Sequence, residues 1–167
     1  QYVLCTGTRE PRKNLDRVVR AFHKLRLTQI QLVIVGNYGW GKDLPPSKYV
    51  NLLGLVDRQD LPALFSGASL FAYPSLYEGF GLPVLEAQAC GCLVVTSNRG
   101  SLKEITGKTC VIVDPLSEKD IADAIDSLLF LNFSHKQKLQ AEALKHARDF
   151  TWEKSAGKTL KIYQSLC

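Results

Sequence analysis

The stretch Leu70-Phe71-Ala72-Tyr73-Pro74-Ser75-Leu76-Tyr77-Glu78-Gly79-Phe80-Gly81-Leu82-Pro83-Val84-Leu85-Glu86-Ala87 carries three structural signals in a row. Leu70 to Tyr73 reads as a strand, closed by Pro74-Ser75. Gly79 and Gly81 mark a turn, and Pro83 suits the first turn of a helix. Glu78 and Glu86 stand eight positions apart, one before the glycines and one about a turn into the helix. A strand that breaks into a glycine turn and restarts as a helix leaves backbone N–H groups unpaired at the helix start. Together with the positive end of the helix dipole they form a seat for a phosphate.

Upstream of this stretch, Tyr2 to Cys5 reads as a first strand, followed by the polar loop Thr6-Gly7-Thr8-Arg9-Glu10-Pro11-Arg12-Lys13. Asn14 or Asp16 is placed to cap a helix carrying Leu15, Val18, Val19, Phe22 and Leu25 at helical spacing. Leu32 to Val35 is wholly apolar and ends at Gly36, the pattern of a strand buried on both faces. A Gly- and Pro-rich loop over 37–48 leads to a third strand, Tyr49 to Gly54. Asp57 is expected to open a helix through about Ser66. Downstream, Leu93 to Thr96 and Val111 to Val113 read as strands five and six. Ser101-x-x-Glu104 has capping-box spacing, and Ser117-x-x-Asp120 can start a helix bearing Ile121, Ile125, Leu128 and Leu129. From Ser134 the chain reads as helix in two pieces meeting near Phe150-Thr151-Trp152.

Six apolar strands alternating with helices predict an α/β fold, a Rossmann-like doubly wound six-stranded parallel sheet flanked by helices. If the strand order is the common 3-2-1-4-5-6, strands one and four are neighbours at the switch point where ligands bind. The cationic loop with Arg12 and Lys13 then lies beside the turn at Gly79 to Leu82. Arg can grip a diphosphate as a fork and Lys as a point charge. The working expectation is a clamp for the diphosphate of a nucleotide-sugar, set against the plainer reading of a solvated basic loop. Glu86 could accept the hydroxyls of a ribose, or simply face the helix dipole; Glu78 could enter the crevice, or only stabilise the turn.

Composition narrows the classes. With 167 residues, 46% hydrophobic and 22% charged, the chain is long and apolar enough for one ordinary domain, read as 1–167 without a linker or repeat. The net charge of +5 suits an anionic ligand or a lipid-facing surface and is too small and dispersed for nucleic acid. No apolar run is long enough to span a bilayer. The chain opens on Gln1 with a strand already beginning, which suggests a piece of a longer protein whose upstream domain is absent. The five cysteines (Cys5, Cys90, Cys92, Cys110, Cys167) are odd in number without zinc-type pairs, and read as reduced, cytosolic thiols, with Cys5 and Cys110 buried in strands. The dinucleotide G-x-G-x-x-G, the P-loop, H-E-x-x-H, G-x-S-x-G and D-x-D patterns do not occur. His23, His135 and His146 fall on predicted helices and read as surface residues, and Trp40 as loop packing.

The string E-x7-E formed by Glu78 and Glu86 within Tyr77 to Ala87 resembles the signature of the retaining glycosyltransferases of family 4, in the donor-binding carboxyl-terminal domain of their two-domain GT-B fold. The likeness extends to Gly7-Thr8 with Glu10-Pro11-Arg12-Lys13-Asn14, to Gly54-Leu55-Val56 with Leu61 and Leu64, and to Pro74-Ser75. It continues through Glu86 to Gly91, Gly100 to Glu104 and Phe150 to Glu153. By position, the resemblance implies that Lys13 contacts the donor diphosphate from one side, and Gly7 and the backbone of Gly79, Phe80, Gly81 and Leu82 line it. Glu78 approaches the transferred sugar, Glu86 the ribose, and the backbone near Leu55 and Val56 borders the base. Many members carry an arginine directly after the first-loop glycine. This chain has Thr8 there, and Arg12 is expected to supply the second cation.

The implied reaction moves a hexose or N-acetylhexosamine from a UDP- or GDP-sugar to an acceptor hydroxyl with retained configuration, without metal or other cofactor. Catalytic weight falls on Glu78, Lys13 and Arg12. The acceptor, a glycan or lipid-linked sugar, is held mainly by the absent amino-terminal domain, so the isolated domain is expected to be inactive. The resemblance points to bacterial surface polysaccharide or lipopolysaccharide synthesis in the cytoplasm or at the cytoplasmic face of the membrane, with room for peripheral membrane contact. Two other readings stay open: a non-catalytic nucleotide-sugar-binding module, or another GT-B enzyme such as an epimerase or phosphorylase.

Overall fold

In the computed structural model, which describes residues 1–41, 43–45 and 47–166, six strands form one all-parallel sheet. They are β1 (Tyr2–Thr6), β2 (Gln31–Val35), β3 (Val50–Gly54), β4 (Leu70–Tyr73), β5 (Val94–Ser97) and β6 (Cys110–Val113), in the order β3-β2-β1-β4-β5-β6. This is the expected order, with the reversal between β1 and β4. The register sets Leu4 beside Val33 on one side and beside Phe71 on the other, and Phe71 beside Val94.

Because side chains alternate along a strand, this register lines up two apolar faces. Val3, Cys5, Leu32, Ile34, Leu70, Ala72, Leu93 and Val95 face one way. They are covered by α1 (Leu15–Lys24) through Leu15, Val18, Val19 and Phe22, and by α5 (Glu118–Leu129) through Ile121, Ile125 and Leu128. Leu4, Val33, Val35, Phe71, Tyr73 and Val94 face the other way. Their cover is α2 (Leu61–Gly67), α3 (Leu82–Ala89) and α4 (Leu102–Ile105), through Phe65, Val84, Leu85, Leu102 and Ile105. Helix α6 (Phe133–Ala147) packs outside α3, and α7 (Trp152–Gln164) follows with no buried residue.

Local details depart from the sequence expectation in four places. The helix expected from Asp57 begins at Leu61, because residues before it form a turn closed by Asp60 N–H on the Asp57 carbonyl and Pro62 sits in the first helical turn. The Ser101–Glu104 capping box is not made: Ser101 donates its hydroxyl to the Glu78 carbonyl, a tertiary bond that outcompetes the local one. Asn14 occupies the cap position of α1 in the left-handed region (φ 61°) without a side-chain cap; its amide is spent elsewhere, as described below. His146 is half-buried rather than free on the surface, with a ring nitrogen 2.8 Å from the Ile105 carbonyl. By contrast, Ser117 caps α5 through the Asp120 N–H as its spacing indicates.

Among the described residues, 37–49 form neither helix nor strand; Lys42 and Pro46 of that loop lie outside them. Cys5 and Cys92 are buried and Cys110 is half-buried on the edge strand, all unpaired, while Cys167 lies outside the described residues. Burial pushes the Cys92 and Cys110 thiols up to about 12, and Cys5 higher still. No described helix is long and apolar enough to cross a membrane.

Candidate functional site

The site forms where the carboxyl ends of β1 and β4 meet. After β1 the chain turns at Gly7, whose N–H donates to the Val35 carbonyl at 2.8 Å. A Cβ on Gly7 would lie 3.2 Å from the Lys13 stem, so a glycine here lets that stem lie against the backbone. Pro11–Lys13 make a single 3-10 turn ended by left-handed Asn14. That reversal sends Lys13 back over the sheet end.

Asn14 is the tie between loops. Its buried amide donates to the Pro74 carbonyl at 3.0 Å and to the Pro115 carbonyl at 2.7 Å, joining the segments after β1, β4 and β6. The Leu76 N–H adds a 2.7 Å bond to the Arg12 carbonyl. The cationic turn and the segment carrying Glu78 are therefore held as one unit.

At the centre is the Glu78 carboxylate, its side chain only 8% exposed. The Lys13 ammonium, 11% exposed, reaches one oxygen at 2.8 Å. The Arg12 guanidinium reaches the other at 3.1 Å and also pairs with Glu10 at 2.7 Å. The Tyr73 hydroxyl donates to the same oxygen as Lys13 at 2.8 Å and in turn accepts from the Lys13 ammonium. Burial alone would push the Glu78 carboxyl up, but hydrogen bonds from Lys13 and Tyr73 hold it below its ordinary value. Tyr73 moves the opposite way, its phenol raised by burial and by the adjacent carboxylate. A second turn braces Glu78 from behind. Gly100 adopts φ 58°, and a Cβ there would sit 2.5 Å from the Glu78 carbonyl oxygen.

Beyond Glu78 the chain passes through Gly79 and Phe80 to Gly81, the cap position of α3, with Pro83 in the first turn. Among the described residues, the backbone N–H groups of Gly79, Phe80, Gly81 and Leu82 have no hydrogen-bond partner. These free donors and the positive end of the helix dipole form an anion-accepting surface beside the cluster in which Lys13 and Arg12 are paired with Glu78 and Glu10. Glu86 lies one turn into α3, half-buried, and joins no ion pair among the described residues. Leu55 and Val56 follow β3; Leu55 is exposed and Val56 packs against the core. Gly7, Arg12, Lys13 and Glu78 thus come together in one cluster, with Gly79 to Leu82 and Glu86 continuing from it. Leu55 and Val56 share the same end of the sheet without a bond to the cluster.

Sequence reasoning passed over Tyr73 and the bridging role of Asn14. Tyr73 had one signal: a hydroxyl-bearing residue closing an otherwise apolar strand at the end where ligands bind. Asn14 had none, since its partners are 60 and 101 positions away. Among the described residues no group of three or more His, Cys, Asp or Glu side chains could hold a metal ion.

Comparison with known proteins agrees with this picture. Residues 1–149 match the family described as glycosyl transferases group 1. The chain is 36% identical to the O-antigen chain mannosyltransferase B of Escherichia coli over 99% of its own length and 46% of that protein. It is 32% identical to the D-inositol 3-phosphate glycosyltransferase of Paenarthrobacter aurescens (strain TC1), covering 81% of this chain and 36% of the relative. The chain therefore spans less than half the length of these relatives. Among solved structures, sucrose-phosphate synthase from Thermosynechococcus elongatus superposes with a TM-score of 0.82 at 27% identity, covering 99% of this chain and 45% of that one. The Anabaena protein HepE, solved in complex with UDP-glucose, has the same fold at TM-score 0.83 and 20% identity, over 99% of this chain and 49% of its own.

Proposed function

The chain belongs to the glycosyl transferases group 1 family, and from that premise we propose that it binds the donor of a retaining, family 4 type hexosyl transfer. The observation that carries this reading is the convergence of Lys13 and Arg12 on Glu78 beside the backbone N–H groups of Gly79 to Leu82, which have no partner among the described residues. Such a constellation recognises a diphosphate bound to a sugar: donors for the phosphates, an ionised acceptor for the sugar hydroxyls.

In this reading Lys13, Arg12 and the Gly79–Leu82 backbone hold the diphosphate of a UDP- or GDP-sugar. Glu78 accepts from the sugar hydroxyls, Glu86 from the ribose, and the chain at Leu55 and Val56 borders the base. As the bond from the anomeric carbon to the diphosphate oxygen breaks, its electron pair stays on the diphosphate. Negative charge grows where the two cations and the helix start already stand, preorganised stabilisation that costs no rearrangement. The acceptor hydroxyl attacks from the same face and its proton passes to the departing diphosphate. These cations supply the charge stabilisation, so the reading requires no metal or further cofactor. The acceptor sits on residues outside this chain, and the likeness to the O-antigen chain mannosyltransferase B of Escherichia coli favours a bacterial surface-polysaccharide acceptor made at the cytoplasmic side of the membrane.

Isothermal calorimetry of the protein with UDP, GDP and ADP, then with UDP-glucose and GDP-mannose, tests the reading. The expected result is binding of a uridine or guanosine diphosphate, strengthened by the sugar. Absence of heat with every one of them at millimolar concentration would overturn it.

A further inference from the structure

Tyr73 belongs to two environments at once. Its ring is part of the core beneath α3, 2% exposed and stacked on Phe71 with centroids 5.4 Å apart. Its hydroxyl leaves that core at the sheet end, donating to the Glu78 carboxylate and accepting from the Lys13 ammonium, which also lies 4.8 Å from the ring centroid. A lysine has a long flexible stem, and a glutamate on a turn has three rotors of its own. A phenol fixed by an aromatic stack has only two rotatable bonds, so it is the stiffest member of the triad.

We propose that Tyr73 is a positioning residue for the donor site: its hydroxyl fixes the Glu78 carboxylate and the Lys13 ammonium at the spacing a sugar diphosphate meets. The inference rests on the reading that the site binds a nucleotide-sugar. The groups facing Glu78 are few. Lys13 and Arg12 come from the turn after β1, with Glu10 behind Arg12. Tyr73 comes from β4, and the uncharged Ser101 holds the Glu78 backbone while Arg99 beside it faces Asp114. Tyr73 is the member that touches both Lys13 and Glu78 while remaining neutral, because burial beside a carboxylate keeps its phenol protonated. It orders the pair without cancelling either charge.

Tyr73→Phe keeps the ring and the stack and deletes the hydroxyl alone. In the full-length enzyme, donor affinity and the pH profile of kcat/KM are measured for wild type and variant. The expected result is a loss of about tenfold in kcat/KM, the size of one hydrogen bond to a charged group, with the acid limb moved to higher pH because Glu78 has lost a donor. Unchanged kcat/KM, or a loss with the acid limb unmoved, would assign Tyr73 to packing and overturn its positioning role while leaving the donor site intact. A wild-type enzyme that binds neither UDP- nor GDP-sugars would overturn the donor reading itself, and with it this inference.

Discussion

Replacing Lys13 with methionine probes the cluster most directly, because the substitution keeps most of the stem that lies on Gly7 and removes the ammonium with its charge and its hydrogen bonds to Glu78 and Tyr73. In the wild type the ammonium stands 2.8 Å from a Glu78 oxygen. At an effective dielectric of about 20, two unit charges at that spacing attract by roughly 6 kcal/mol before desolvation is subtracted. Removing one member of a buried pair costs about 3–5 kcal/mol, because the other charge is left stranded. Here Arg12 still reaches the second oxygen, but its side chain is 44% exposed and therefore screened. Lys13→Met should accordingly destabilise by about 2–3 kcal/mol at neutral pH, below the range for a wholly abandoned charge.

The pH dependence follows from the lowered Glu78 pKa. A depressed carboxyl contributes stability that is fully present above its ordinary value of 4.5 and is lost as pH falls through the lower folded value. Without Lys13, burial is less opposed and the Glu78 carboxyl rises. The deficit of the variant should therefore shrink as pH drops below 4.5 and Glu78 becomes protonated in both proteins. Urea denaturation of both proteins across that range measures it, with Glu78→Gln and the double variant completing a cycle. A deficit that stays constant with pH, or one that simply adds to that of Glu78→Gln, would refute the reasoning.

Three further perturbations test other parts of the site. Glu86→Ala should weaken binding of a nucleoside diphosphate and its sugar conjugate alike, whereas Glu78→Gln should weaken the conjugate selectively; calorimetry showing the same loss for both ligands in both variants would reject this division. Gly100→Ala places a Cβ 2.5 Å from the Glu78 carbonyl at a positive φ. It should cost about 1–3 kcal/mol and shift the Glu78 turn; a wild-type thermal midpoint and donor affinity would contradict it. Asn14→Ala leaves the Pro74 and Pro115 carbonyls unpaired in the interior. About 2–4 kcal/mol should be lost across the two bonds, and a loss under a third of that in denaturant melts would argue against the loop-tie role.

Much of the fold was legible because strand and helix periodicity are local properties. The run Leu32 to Val35 has the pattern of a strand buried on both faces, and the six-strand parallel sheet followed from alternation and crossover handedness. Element starts were less legible where distant partners intervened. Ser101 has the spacing of a capping box, yet its hydroxyl serves Glu78, 23 positions upstream. Asn14 reads as a cap and acts as a bridge between three loops. In both cases a buried carbonyl needing a donor outweighed a solvent-exposed local bond.

The turn at Glu78 to Leu82 shows the same boundary. Its residue types alone specified a strand, a glycine break and a helix start able to meet an anion, since those properties depend on neighbours within a few positions. That Glu78 is buried, ionised and gripped by Lys13, Arg12 and Tyr73 depended on β1 and β4 lying side by side. Tertiary packing made that decision because the charge state of a carboxylate is set by what surrounds it in space, and its partners on the turn after β1 lie some 65 residues away along the chain.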